Sequence, residues 1–379
     1  MGARRRELTR WQVAPAVAVL AVVAGSGIAL AVSRADSPAD SPDESLGALL
    51  DRVVEEGAPG VLVVVRDGGA TRAEARGLAD PAHAMPMAAD VRFRTGSITK
   101  TFVAALVLDL VADGKLRLDD PIARWVPGLV PRGNEITVTQ LLRHTSGLAD
   151  YVDDPRVLRA PARLWRPEEL VAVAAAQPAA GAPGERFAYA STNYVVLGLV
   201  AERAGRAPLA VQLARRLFAP LGLRHTAYVP GPVPGRSVHG YRSPSHQGVV
   251  TGDAVEVGTA AWWAGAAGAV VSTAEDVQRF FAALLRGRLL RPQLLREMET
   301  LVPAGRNRYG LGIAVFPTPC GPAWGHTGNV QGTVAVAWNT RDASRRVVLV
   351  VNTYPLSAEL EAAVRRLQIA AFCGLAATP

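Results

Sequence analysis

The 379-residue chain is arginine-rich, with 41 Lys and Arg against 33 Asp and Glu and a formal net charge of +8. Residues 1–35 hold five of those arginines and one glutamate, so the rest carries a net +4 with no basic cluster interleaved with aromatics, which argues against nucleic-acid binding. The six histidines (His83, His144, His225, His239, His246, His326) show no metal-ligand spacing with Cys or carboxylates, and there is no phosphate-cradling Gly motif; no metal or cofactor is expected.

In chain order, Arg4, Arg5, Arg6 and Arg10 precede an apolar run from Val13 to Val32 and then Ser33-Arg34-Ala35. That order predicts a secretory signal over residues 1–35. The run is 20 residues long, so an uncleaved anchor with its basic end inside is the alternative. Either reading places the rest outside the cell, secreted or held to the membrane by this segment alone. Residues 36–45 read as a flexible tether. The remainder of the chain is too long for one minimal core and suits two interlocked domains.

Gly60 to Gly77, with the turn Asp67-Gly68-Gly69, predicts a β-hairpin. Next comes Arg94-Thr95-Gly96-Ser97-Ile98-Thr99-Lys100-Thr101, and Lys100 is one of only two lysines in the chain. An arginine would carry the same charge but cannot release its proton, whereas a desolvated ammonium can act as a base. Phe102, Leu106 and Leu110 recur at i, i+4 and i+8, which predicts a helix over Thr101–Asp113 with its stop at Gly114. Ser97 and Lys100 would then meet near its first turn, beside unpaired backbone N–H groups suited to a developing oxyanion. On its own the pair is a weak signal, since a helix-start serine and a solvated lysine give the same spelling.

Asp119-Asp120-Pro121 reads as a turn and cap rather than a two-carboxylate site. Ile136 to Tyr151 contains His144-Thr145-Ser146-Gly147-Leu148, where His144 is read as satisfying its loop by hydrogen bonding. Tyr189 comes next, in a loop before a helix over Val195–Ala204; alone it would be a buried phenol. Trp324 to Gly332 opens a strand, along which Thr327, Asn329 and Gln331 alternate onto one face. Gly332–Asn339 and Arg345–Asn352 flank a second hairpin turn, and Ser357–Phe372 is helical. Cys320 and Cys373 are the two cysteines; in an exported chain they form one disulfide or remain two buried thiols. An antiparallel sheet built from both chain ends, flanked by helices and with a mainly helical insertion, is the α+β architecture this order predicts.

Taken together, Ser97-x-x-Lys100, His144-Thr-Ser-Gly-Leu, the Tyr189 loop and His326-Thr327-Gly328 resemble the penicillin-recognising serine hydrolases, the family of class C β-lactamases and D-alanyl-D-alanine carboxypeptidases. The likeness runs over roughly residues 48–375. It is most detailed toward the secreted actinomycete D-alanyl-D-alanine carboxypeptidase/transpeptidase branch, through Trp263 to Val270, Tyr309-Gly310-Leu311-Gly312, His326 to Gly332 and Ala371 to Gly374. The resemblance implies a β-lactamase/transpeptidase-like fold over 46–375, with an α/β part at about 46–98 and 255–375 and a helical part at about 99–254. It also implies a disulfide between Cys320 and Cys373.

By the same likeness Ser97 is the nucleophile that takes an acyl group from an amide, ester or lactam, and Lys100 and Tyr189 share the proton transfers in an order left open. The resemblance further implies that His326 supplies polarity near a substrate carboxylate. Gly328 would let substrate backbone approach, and Ser191, Trp263, Thr327, Asn329 and Gln331 would line the substrate. The N–H groups of Ser97 and Asn329 would form the oxyanion hole. The expected partners are a small peptide or ester substrate, with D-alanyl-D-alanine termini of peptidoglycan as candidates, and β-lactams as inhibitors.

Two departures loosen the substrate assignment. Ser191 stands where the family's Tyr-x-Asn has asparagine. Ala314 stands where the carboxypeptidases place a carboxylate-gripping arginine, a contact of about 1.5–3 kcal/mol. An esterase or D-amino-acid peptidase is therefore the alternative within the same chemistry. A non-catalytic cell-wall or β-lactam binding protein is the alternative outside it, although that reading would predict loss of Ser97, Lys100 or Tyr189, and all three are present.

Overall fold

The computed structural model describes residues 45–160, 163–242, 245–246, 249–250, 255–258, 263–330 and 332–374. The leader, residues 36–44 of the expected tether and Gln331 lie outside the described residues. Among the described residues no helix is long and apolar enough to cross a membrane.

The strands of the large sheet and the helices of ten residues or more are, in chain order, α1 (Leu46–Glu55), β1 (Gly60–Asp67), β2 (Ala70–Asp80), β3 (Met85–Pro86), α2 (Thr99–Ala112), α3 (Ser191–Gly205), α4 (Ala274–Leu285), β4 (Val302–Ala304), β5 (Asn307–Tyr309), β6 (Ala314–Phe316), β7 (Ala323–Val330), β8 (Thr333–Asn339), β9 (Arg345–Val351) and α5 (Ala358–Cys373). The nine-stranded sheet runs β4-β5-β6-β7-β8-β9-β1-β2-β3, so the first strand pairs with the last and both chain ends build one sheet. Neighbouring strands are antiparallel throughout, with Val63 opposite Leu349 at the join.

β1 is apolar at nearly every position because both of its faces are covered. Val61, Val63 and Val65 enter the core under α1 and α5, while Leu62 and Val64 enter the core shared with α2, α3 and α4. α1 starts at Ser45, whose hydroxyl accepts the Ala48 N–H at 3.2 Å, and buries Leu46, Leu49, Leu50 and Val53 on one stripe.

α2 is buried on almost all sides, from Thr99 to Leu108. This is the pattern of a helix wedged between sheet and further helices rather than lying on a surface. It begins two residues before the predicted Thr101, extended by a 3₁₀ turn over Gly96–Ile98 that carries Ser97. α3 begins at Ser191, four residues before the predicted start, because the Asp150 carboxylate accepts the Ser191 N–H at 2.9 Å from 41 residues away. The acidic pair at 119–120 stabilises a turn, as expected: Asp120 accepts from the Arg117 N–H and from the Arg124 and Trp125 side chains.

Candidate active site

The 3₁₀ turn bearing Ser97 is pinned from several directions. Thr95 donates its backbone N–H and its hydroxyl to the Val270 carbonyl at 3.0 and 3.1 Å, and buried Arg94 reaches the carbonyls of Val229, Gly231 and Ala269. Farther along α2, the Thr101 hydroxyl donates to the Gly312 carbonyl at 2.7 Å. A Cβ on Gly312 would meet the Ala104 Cβ at 2.4 Å, so this glycine lets the segment between β5 and β6 lie directly on α2.

Lys100 is fully buried. Its Nζ lies 2.9 Å from Ser97 Oγ, 3.1 Å from the Ala267 carbonyl and 3.4 Å from Ser191 Oγ, and 4.9 Å from the centre of the Tyr189 ring. Burial, opposed by the nearby Asp150 carboxylate, brings its pKa down to about 7. A neutral amine has two N–H bonds and one lone pair. The carbonyl of Ala267 and the hydroxyl of Ser191 take the two N–H bonds, which leaves the lone pair aimed at Ser97 Oγ.

Tyr189 is half-buried beside this pair; desolvation holds its phenol above the ordinary range and therefore protonated at neutral pH. Ser191 thus keeps a contact with the lysine despite being shorter than the family's asparagine.

His326 projects from β7 into the same cluster. Its Nδ1 lies 2.5 Å from the Thr327 carbonyl, so this nitrogen carries the proton, and Nε2 accepts the Tyr309 hydroxyl at 2.9 Å. Burial lowers its pKa to about 3. Both ring nitrogens therefore have protein partners, burial favours the neutral ring, and His326 braces Tyr309.

A Cβ on Gly328 would fall 1.9 Å from the Thr95 carbonyl oxygen and 3.1 Å from the Ser97 nitrogen, so this glycine lets the chain's own turn lie against β7. Gly96, at φ +53°, faces the same contact from the other side: a Cβ on it would lie 2.9 Å from the Asn329 nitrogen. Two glycines thereby set the backbone amides of Ser97 and Asn329 beside one another.

Thr327 and Asn329 stand on the face of β7 opposite His326. Thr327 is half-buried and Asn329 is exposed. Trp263 is partly buried against the main core, its carbonyl accepting the Tyr151 hydroxyl at 2.8 Å. Cys320, in the β6–β7 connection, is disulfide-bonded to Cys373 at the end of α5.

Three residues of the site are not assigned to it by sequence reasoning. Asp150 caps α3 and holds negative charge near Lys100; burial raises its pKa. Tyr309 joins His326 to the aromatic group around Tyr189. His144 reads in the sequence as a loop residue, yet its ring stacks on Tyr189 with 4.2 Å between centres. The signal that could have found Asp150 is its place two residues after the His-Thr-Ser-Gly-Leu run; beside its local bond from the Val152 N–H, its partners Ser191 and Lys100 are distant in sequence. Among the described residues no group of three or more His, Cys, Asp or Glu is arranged to hold a metal.

Comparison with known proteins agrees with this fold. A family model described as Beta-lactamase matches residues 46–371. The chain is 33% identical over 323 residues to Esterase EstB of Burkholderia gladioli, covering 74% of this chain and 78% of the esterase. Among solved structures, a D-stereospecific amidohydrolase from Streptomyces sp. superposes with a TM-score of 0.78 at 33% identity, covering 87% of this chain and 98% of that one. The D-amino acid amidase of Ochrobactrum anthropi SV3 does so with a TM-score of 0.76 at 28% identity, covering 85% and 96%.

Proposed function

We propose, from the premise that the chain belongs to the beta-lactamase family and is a serine hydrolase, that it cleaves small esters and amides of D-amino acids through an acyl-enzyme on Ser97. The observation that carries this reading is the Nζ of a buried Lys100, near pKa 7, lying 2.9 Å from Ser97 Oγ.

Lys100 removes the hydroxyl proton as Ser97 attacks the carbonyl carbon. The N–H groups of Ser97 and Asn329 receive the oxyanion, a contact for which loss of one donor typically costs about 100- to 1,000-fold in rate. Tyr189, kept protonated by burial, hands its proton to the departing alkoxide or amine and recovers it by way of Lys100. Water then repeats the sequence on the acyl-enzyme, with Lys100 as base.

Two carboxylates support an acyl donor bearing a free ammonium: Asp150, which acts electrostatically on Lys100, and Asp153, which acts on Tyr354. A terminal carboxylate has less to hold it, since Ala314 is buried and uncharged and His326 is neutral. D-Alanyl-D-alanine carboxypeptidase activity and acylation by β-lactams are accordingly slower outcomes of the same chemistry. The charged and apolar order of residues 1–35 supports action outside the cell.

The test is intact-protein mass spectrometry after incubation with a D-amino acid ester and with a penicillin, together with steady-state rates. We expect an acyl adduct on the wild-type protein and none on Ser97→Ala. We also expect D-amino acid amides to be cleaved at least about tenfold faster than a D-alanyl-D-alanine peptide. An adduct that persists in Ser97→Ala sinks the nucleophile, and a faster peptide sinks the substrate class.

A further inference from the structure

We propose that His144 is a positioning residue for Tyr189, holding the phenol in the orientation from which it protonates the departing group. This rests on the reading of Tyr189 as the proton donor.

His144 follows the short helix Val138–Leu142 and is completely buried, with a left-handed backbone at φ +58°. It grips the segment that carries Tyr189 at three points. Its carbonyl accepts the Ala188 N–H at 2.8 Å, and its ring Nδ1 accepts the Ala190 N–H at 3.2 Å. Its imidazole lies against the phenol with ring centres 4.2 Å apart and planes 26° from parallel. The residues on either side of Tyr189 and the Tyr189 ring itself are thus all fixed by one side chain and its own carbonyl.

The ring's protonation state follows from its partners. Nδ1 also faces Asn193 Nδ2 at 3.0 Å, and the Asn193 carbonyl oxygen is taken by the Ser146 hydroxyl at 2.5 Å, so the amide presents N–H to the imidazole. With two donors on Nδ1 the proton sits on Nε2. That nitrogen has no hydrogen-bond partner among the described residues, and Tyr309 stands edge-on to the ring with centres 5.0 Å apart. Burial, with Lys100 and His326 nearby, keeps the ring neutral.

A left-handed non-glycine backbone and a buried unpaired N–H are both unfavourable, and both occur at the residue that stacks on Tyr189 and binds both of its chain neighbours. Loop packing alone would be served by a residue with neither feature. Holding a catalytic phenol requires both the flat ring beneath it and the acceptor beside it.

Two substitutions separate these elements. His144→Phe keeps the stacked ring and loses the acceptor, whereas His144→Asn keeps an acceptor, suits the positive φ and loses the stack. Each variant is assayed on a D-amino acid anilide and on the p-nitrophenyl ester of the same acid, with active sites counted by titration so that misfolded protein drops out. A poor leaving group needs the proton and a good one does not. We expect His144→Phe to lower kcat on the anilide by about 10- to 100-fold and on the activated ester by about threefold or less, with KM on both within about twofold. Tyr189→Phe should show the same selectivity, and the double variant should be no worse than Tyr189→Phe alone.

Equal losses on both substrates, or losses that multiply in the double variant, overturn the proposal. If Tyr189→Phe is selective and neither His144 variant is, His144 alone is misassigned. If Tyr189→Phe shows no selectivity, the role of Tyr189 falls and that of His144 with it. Should His144→Phe fail to fold, His144→Asn carries the same comparison.

Discussion

Lys100 can serve as a base near neutrality because each of its polar contacts has a defined role. Ala267 and Ser191 take its protons, Ser97 faces its lone pair, and the apolar surroundings of α2 disfavour its charged form. The sign of the resulting pH dependence is fixed. Only the free amine can accept the serine proton, so kcat/KM should rise tenfold per pH unit at acid pH and level off above a midpoint near pH 7. Because Tyr189 holds its proton above the ordinary phenol range, no basic limb should appear before about pH 10. A rate profile on an uncharged ester checks both limbs. His326, lowered to about 3, adds no step near neutral pH. Arginine at position 100 would remain protonated throughout, and Lys100→Arg should lose at least about 100-fold at every pH.

The pairing of Ser97 with Lys100 was legible because it is local. Three residues along a helix start bring two side chains together whatever the rest of the chain does. Asp150, Tyr309 and the working face of His144 were not, since each acts on a residue that only folding brings near. His326 shows the other limit: its place in the cluster could be anticipated, while its neutral state depends on a burial that no spacing reveals.

Among the elements, the contact between β7 and the 3₁₀ turn decides whether an oxyanion hole exists. It is made by backbone on backbone, Gly328 against Thr95 and Gly96 against Asn329. A methyl group on Gly328 would need to occupy the position of a carbonyl oxygen, so the strand must move away from the turn. Gly328→Ala should therefore lower kcat/KM by about 100-fold or more on ester and amide alike, the cost typical of losing one oxyanion donor. Steady-state assay of both substrates checks it, and a loss confined to one of them would place the oxyanion elsewhere. The hairpins β1–β2 and β8–β9 and the helix α5 were readable from alternation, turns and periodicity. The start of α3 was not, because its cap comes from Asp150 in a different part of the chain.

For the molecule as a whole, one apolar core runs from the inner face of the sheet, through Leu62, Val64, Ala335 and Val348, into α2, α3 and α4. The catalytic turn sits where sheet and helices meet, so it depends on both. Cys320–Cys373 ties the β6–β7 connection to α5 on the outer face, closing a sequence separation of 53 residues. Cys320→Ser should cost about 2–4 kcal/mol of stability. Calorimetry of this variant should still show a single transition, at lower temperature, with Ser97 acylation vanishing in step with it. Separate melting of a helical unit would contradict the continuous core.

The amino-acid sequence by itself determined the chemistry and the ground plan of this protein. Ser97 and Lys100 on one helix turn, and strands at both chain ends, follow from short-range periodicity, which every unfolded copy of the chain already contains. Only the tertiary structure supplied the surroundings on which the protonation states and the proposed assignment of proton donor and base rest. These depend on burial and on partners such as Asp150, Tyr309 and His144, and the energy of a charge is set by what surrounds it in space rather than by its neighbours along the chain.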